Sequence, residues 1–75
     1  MNEAYVLINS EKRLEIELLE NLKSLPNVKD VHKIYGVYDF AVRVKGDDGI
    51  SLKDSIIQKL KQIEGVRSTL TLLIL

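Results

Sequence analysis

One apolar pattern occurs twice in this chain, 38 positions apart. Leu14, Leu18, Leu19, Leu22, Leu25 and Val28 recur as Leu52, Ile56, Ile57, Leu60, Ile63 and Val66 (14 to 52, 28 to 66), and Val6 recurs as Val44. Leucines four apart stack on one helix face, so each copy contains an amphipathic helix. The runs that flank the helices, at 4–8, 28–35, 38–45 and 66–74, are short and β-prone. The chain is therefore strand–helix–strand twice over, βαββαβ. This is the split-βαβ or ferredoxin-like arrangement of the α+β class. Right-handed crossovers put both helices on one face of a four-stranded antiparallel sheet. A length of 75 residues holds one such unit, so residues 1–75 are read as a single domain.

Local signals set the boundaries. Ser10 is a suitable N-cap and Glu11 suits a helix start through the dipole. Pro26 cannot continue a helix, so helix one is predicted at 11–24. Gly36-Val37 between the second and third runs suits a two-residue type II′ hairpin turn. That register places Asp30 opposite Arg43 and Ile34 opposite Asp39, unless a bulge shifts it. Gly46-Asp47-Asp48-Gly49 reads as a turn, helix two is predicted at 50–63, and Gly65 is its C′ residue.

The strands do not alternate cleanly. Strand one offers Ala4, Val6 and Ile8 to one face and Tyr5 and Leu7 to the other. Strand four offers Leu70, Leu72 and Ile74 to one face and Thr69, Thr71, Leu73 and Leu75 to the other. Two helices cover only one face of a sheet, and an antiparallel sheet with a wet second face should be polar there. The second face is expected to lie against the same face of another copy, making a homodimer. Small size points the same way, because a domain this short buries a modest share of its surface and has no disulfide to help. Scattered exposed Leu and Tyr on a monomer are the plainer alternative.

Composition removes several function classes. Eleven Lys plus Arg balance eleven Asp plus Glu, so there is no standing attraction to nucleic acid or an anionic membrane. Cys is absent, which removes thiolate metal sites and thiol nucleophiles. No apolar stretch approaches the ~18 residues that span a bilayer, and the first residues do not read as a signal peptide. A cytoplasmic location is the expectation. Ser10, Ser24, Ser51, Ser55 and Ser68 lack a G-x-S-x-G context. His32 stands alone in a strand, and Asp47-Asp48-Gly49 lacks the alternating ligands of a calcium loop. Neither G-x-G-x-x-G nor a P-loop occurs. Tyr5, Tyr38 and Phe40 lack the basic surroundings of an RNA-stacking sheet. No cofactor, no metal and no enzymatic activity are expected.

One cluster remains. Tyr35-Gly36-Val37-Tyr38-Asp39 puts a glycine, two aromatics and a carboxylate at a hairpin tip. Gly36 permits close backbone approach, Tyr38 can wall an apolar side chain, and Asp39 can pair with a ligand ammonium. The plainer reading is a hairpin turn with a solvated Asp. Thr69 and Thr71 can likewise donate to a ligand carboxylate or simply be β-branched strand residues.

Taken together, several segments resemble the effector-binding domain of the Lrp/AsnC family of regulators. They are Val28 and Val31 leading into Tyr35-Gly36-Val37-Tyr38-Asp39, the strand at 40–45, Asp47-Asp48 ahead of Leu52, and Glu64-Gly65-Val66-Arg67-Ser68-Thr69-Leu70-Thr71. The Gly-x-Tyr-Asp and Gly-Val-x-x-Thr-x-Thr elements at this separation are the specific part. The resemblance covers essentially the whole chain. It implies a βαββαβ dimer with sheets packed face to face, assembling further to tetramers or octamers, with an amino-acid effector bound near the hairpin between dimers. Gly36, Val37, Tyr38 and Asp39 would line that site, with hydroxyls from Thr69 and Thr71. Asp39 would take the α-ammonium, while hairpin amides and a threonine would take the α-carboxylate. Family members typically carry an N-terminal helix-turn-helix for DNA, whereas here strand one starts within a few residues of Met1. The resemblance therefore implies a stand-alone form that does not bind DNA directly, acting alone or with full-length Lrp/AsnC relatives. A ligand-free assembly domain and a dimeric α/β-barrel enzyme are the alternatives. The related amino-acid-binding ACT domain has the same topology but lacks the two motifs.

Overall fold

Period-two alternation in the first and third strands fixes the layer structure. In a computed structural model, which describes residues 2–48, 50 and 52–74, β1 (Asn2–Ser10) buries Ala4, Val6, Ile8 and Ser10. In β3 (Phe40–Gly46), Phe40, Val42, Val44 and Gly46 are buried. Each strand thus presents every second residue to the helices. β2 (Val28–Lys33) and β4 (Val66–Ile74) complete a four-stranded antiparallel sheet in the order β2-β3-β1-β4. This is the expected α+β ferredoxin-like topology, with β4 matching its predicted limits. Met1, Gly49 of the predicted turn, Ser51 and Leu75 lie outside the described residues.

Helix one departs from its predicted start. Ser10 does not cap it, because β1 runs through Ser10 and the serine side chain turns to Asp39. The chain enters through a 3-10 turn, Lys12–Leu14, and α1 follows at Glu15–Ser24. Pro26 lies just beyond its end, as its missing N–H and fixed φ require. α1 buries Leu18 and Leu22 completely.

The second helical segment differs in pitch. Leu52–Ile57 forms π-helical turns and α2 follows at Gln58–Lys61. The wider turn changes the phase of the repeat. Leu18 is buried while its counterpart Ile56 is half-buried, and Leu19 is half-buried while Ile57 is buried. Leu52 and Ile57, five apart, face the core together, which π-helical spacing allows. Leu22 and Leu60 keep the correspondence, and both are fully buried. One core results, made of Ala4, Val6, Ile8, Leu18, Leu22, Phe40, Val42, Val44, Leu52, Ile57 and Leu60.

The β2–β3 hairpin is looser than a two-residue turn. Asp30 does lie opposite Arg43, with a register shift between Val28 and Asp30. Strand pairing ends at Lys33 and Phe40, and one further bond runs from the Ile34 amide to the Asp39 carbonyl at 2.9 Å. The chain between them arches over Gly36 at φ +136°.

Cross-strand register settles the faces. Thr69 lies opposite Ile8 and Thr71 opposite Val6, so both threonines share the helix side with the core. Leu70, Leu72 and Ile74 lie opposite Leu7, Tyr5 and Glu3 on the open side. There Leu70, Leu72 and Ile74 remain 44%, 47% and 43% exposed. Among the described residues no helix is long and apolar enough to cross a membrane.

Gly65 closes the second helical segment at φ +102°. A Cβ there would lie 3.3 Å from the Leu14 Cβ. Gly65→Ala is expected to cost about 1–3 kcal/mol, through a backbone angle that L-residues avoid, and to lower the melting temperature accordingly. Gly36→Ala carries a backbone penalty of the same kind at φ +136°, but its Cβ would meet nothing within 4 Å, so without the Leu14 crowding it should cost less. Thermal melts of the two variants side by side check the ranking.

Candidate functional site

The hairpin tip is fastened to the end of β1 by a carboxylate. β1 alternation turns Ser10 inward, where it is 1% exposed and needs partners for both its amide and its hydroxyl. Asp39 supplies them with one oxygen. Oδ2 accepts from the Ser10 amide at 2.7 Å and from the Ser10 hydroxyl at 2.9 Å. Oδ1 accepts from Lys12 Nζ at 2.8 Å. The Asp39 amide donates to the Ile8 carbonyl at 2.8 Å, and Asn9 Nδ2 donates to the Val37 carbonyl at 2.9 Å. Beside this, the Glu11 amide donates to the Gly65 carbonyl at 2.7 Å, joining the start of helix one to the end of helix two.

The electrostatics follow from these bonds. The Lys12 ammonium, then the Ser10 amide, pull the Asp39 pKa down to about 2. Lys12 is correspondingly raised by its bond to Asp39. A carboxylate held this acidic is a poor general base near neutral pH. On the open sheet face Arg43 bonds Asp30 at 2.6 Å and Glu3 at 2.7 Å, and the two carboxylates raise its pKa further. Lys33 pairs with Glu15 and lies over the Phe40 ring at 5.2 Å. Among the described residues no group of three His, Asp or Glu side chains is placed to hold a metal ion.

The residues singled out from sequence divide into two places. Gly36, Val37, Tyr38 and Asp39 come together at the hairpin. Tyr35 and Val37 project into solvent, Tyr38 is half-buried and Asp39 is 8% exposed. The Asp is thus not the solvated residue of a plain turn. Thr69 sits beside Ile8 on the edge strand β4. Thr71 lines a separate groove of about 290 Å³ between the second helical segment and β4, with Lys53, Ile57, Gln58, Lys61 and Leu73. None of the hairpin residues lines that groove.

Sequence reasoning missed Ser10 and Lys12 as partners of Asp39. Extending the β1 alternation by two residues would have turned Ser10 inward and raised the question of its hydrogen-bond partners. Nothing in the local sequence points to Lys12, which meets Asp39 only through the tertiary fold.

A four-stranded sheet, two helical segments on one face and a tied hairpin make a small ferredoxin-like α+β domain. The sequence model of the Lrp/AsnC ligand binding domain matches residues 3–75, and this chain belongs to that family. The homocitrate synthase of Sulfurisphaera tokodaii is 35% identical over 74 residues, 97% of this chain. The uncharacterized HTH-type transcriptional regulator PF0250 of Pyrococcus furiosus is 30% identical over 56 residues, 75% of this chain. The chain spans 16% of the first protein and 37% of the second. Among solved structures, TTHA0845 from Thermus thermophilus superposes with a TM-score of 0.89 at 35% identity, covering 100% of this chain and 94% of that one.

The folded-state pKa of Asp39 lies below the unfolded value, so its contribution to stability is complete above about pH 4. That contribution is lost as the pH falls toward 2. Melts between pH 6 and pH 2 should show this loss in the wild type and a flatter profile in Asp39→Asn. At neutral pH Asp39→Ala, which leaves the Ser10 donors unpaired, is expected to cost about 1–3 kcal/mol.

Proposed function

We propose that this domain binds an amino acid and works as an oligomer, passing the signal to transcription or metabolism through its partners rather than by touching DNA itself. The observation that carries this reading is the distribution of the unit. The same stretch, aligned over nearly all of this chain, occupies 16% of a homocitrate synthase, and three quarters of this chain aligns with 37% of an HTH-type regulator. A unit shared by an enzyme and a DNA-directed regulator has neither catalysis nor DNA reading as its common property. Sensing a small molecule is a role that fits both settings, and the family is defined as a ligand binding domain.

In this reading the hairpin forms one half of the effector site. Asp39 offers a carboxylate to the α-ammonium, Tyr38 walls the side chain, and Gly36 and Val37 leave open backbone for the α-carboxylate. Thr69 and Thr71 supply hydroxyls from β4. Because Thr71 opens onto a different groove from the hairpin, a second copy completes the site. The open sheet face provides the dimer contact. Tyr5, Leu7, Leu70, Leu72 and Ile74 make an apolar surface that water would otherwise cover. Dimers then associate into tetramers or octamers, and full-length Lrp/AsnC relatives are partners through the same surface. The setting is cytoplasmic.

A ligand-free assembly domain is the second reading, and one observation favours it. Both oxygens of the Asp39 carboxylate are already bonded within its own chain. Titration calorimetry against the twenty standard amino acids decides between the two. Heat from one or a few supports the sensor, and silence from all supports the assembly domain. Leu7→Lys, which puts an unpaired charge into the proposed dimer contact, is expected to give monomers in sedimentation at micromolar concentration. A dimeric Leu7→Lys protein would reject this face as the contact.

A further inference from the structure

We propose that Lys12 is a built-in competitor for the effector's ammonium, closing the hairpin site until an amino acid displaces it. The proposal rests on the reading of Asp39 as the ammonium partner. The two oxygens of Asp39 are held in different ways. Oδ2 is bonded twice by Ser10, a fully buried residue of β1. Oδ1 is capped only by Lys12, whose side chain is 72% exposed on the 3-10 turn ahead of α1. One half of the carboxylate belongs to the scaffold, and the other half is covered by a long, water-facing side chain.

The cap has the chemistry of the proposed guest. A lysine head and the amino end of an α-amino acid are both primary ammoniums with three donors. Exchanging one for the other leaves the charge on the carboxylate balanced and leaves both Ser10 bonds in place. The released ammonium returns to water, with Glu15 close enough to favour the charged form of Lys12. Asp39, with a pKa of about 2, stays ionised throughout. A tethered ammonium competes at high effective concentration. The apparent affinity for a ligand falls by the fraction of time the site stands open.

Selectivity follows. A bare ammonium offers Asp39 nothing that Lys12 does not already give. An α-amino acid adds a carboxylate for the hairpin amides and a side chain for Tyr38, so it gains where methylammonium does not. The site is thereby set to reject simple amines.

Calorimetry with the twenty standard amino acids and with methylammonium, on wild type, Lys12→Met, Lys12→Arg and Asp39→Asn, tests this. Thermal melts check that each variant is folded. Methionine keeps the length and apolar stem of lysine without its charge. The best amino acid should bind Lys12→Met about tenfold more tightly than wild type and Lys12→Arg about as wild type does. Asp39→Asn should lose binding, and methylammonium should give heat only with Lys12→Met. Equal amino-acid affinity in wild type and Lys12→Met overturns the competitor and leaves the sensor reading standing. No heat from any protein, Lys12→Met included, overturns both, whereas undiminished binding by Asp39→Asn overturns the competitor together with Asp39 as ammonium partner and leaves the domain a sensor.

Discussion

The Asp39 carboxylate ties together three parts of the chain at one end of the sheet. It holds the inward-turned end of β1 through Ser10, the entry to helix one through Lys12, and the β2–β3 hairpin through its own backbone. Each attachment answers a physical demand. The buried Ser10 amide and hydroxyl need an acceptor, and the arched hairpin pairs poorly beyond Lys33 and Phe40. The 3-10 entry has no side-chain cap of its own. The carboxylate satisfies Ser10 and bonds the Lys12 side chain while the Asp39 amide ties the hairpin to Ile8, so the geometry of the candidate site and the stability of this end of the fold rest on the same residue. In the proposed site a substitution at Asp39 would therefore change folding and binding together. Lys12, outside the core and bonded to a single oxygen, is where the two can be separated.

The fold was legible because repetition and alternation are one-dimensional signals. The 38-residue repeat predicted two strand–helix–strand units, and alternation in residues 4–8 separated Ala4, Val6 and Ile8 of the core from Tyr5 and Leu7. The Asp30–Arg43 register followed from the midpoint of the hairpin. Other features were hidden for reasons of the same kind. Ser10 scores as an N-cap by its neighbours, yet the strand continues through it. The π-helical turns at Leu52–Ile57 alter the helical phase without a sequence marker, so Ile56 and Ile57 exchange the roles of Leu18 and Leu19. The site was half legible. Gly36, Val37, Tyr38 and Asp39 are neighbours in sequence and stay neighbours in space. The bond between Lys12 and Asp39 spans 27 positions and depends on the whole fold.

The open face of the sheet is itself divided, and the division bears on what covers it. Toward β2 and β3 it carries Arg43 between Asp30 and Glu3, with His32 and Lys45 nearby, all on residues that solvate well. Toward β1 and β4 it carries Tyr5, Leu7, Leu70, Leu72 and Ile74. The two sheet edges differ in the same sense. β2 (Val-Lys-Asp-Val-His-Lys) is charged along its length, as an edge that avoids pairing should be. β4 (Val-Arg-Ser-Thr-Leu-Thr-Leu-Leu-Ile) has one charge, at Arg67, and is otherwise an exposed β-prone strand. A lone domain selected only for solubility would protect both edges alike. This chain protects one edge and leaves bare the edge beside its apolar half-face. The proposed contact therefore centres on β1 and β4. The Arg43 ion group lies at its margin, where water still reaches and burying the charges costs little. Thr69 and Thr71, on the same edge strand but turned to the helix side, would then stand beside the junction between copies.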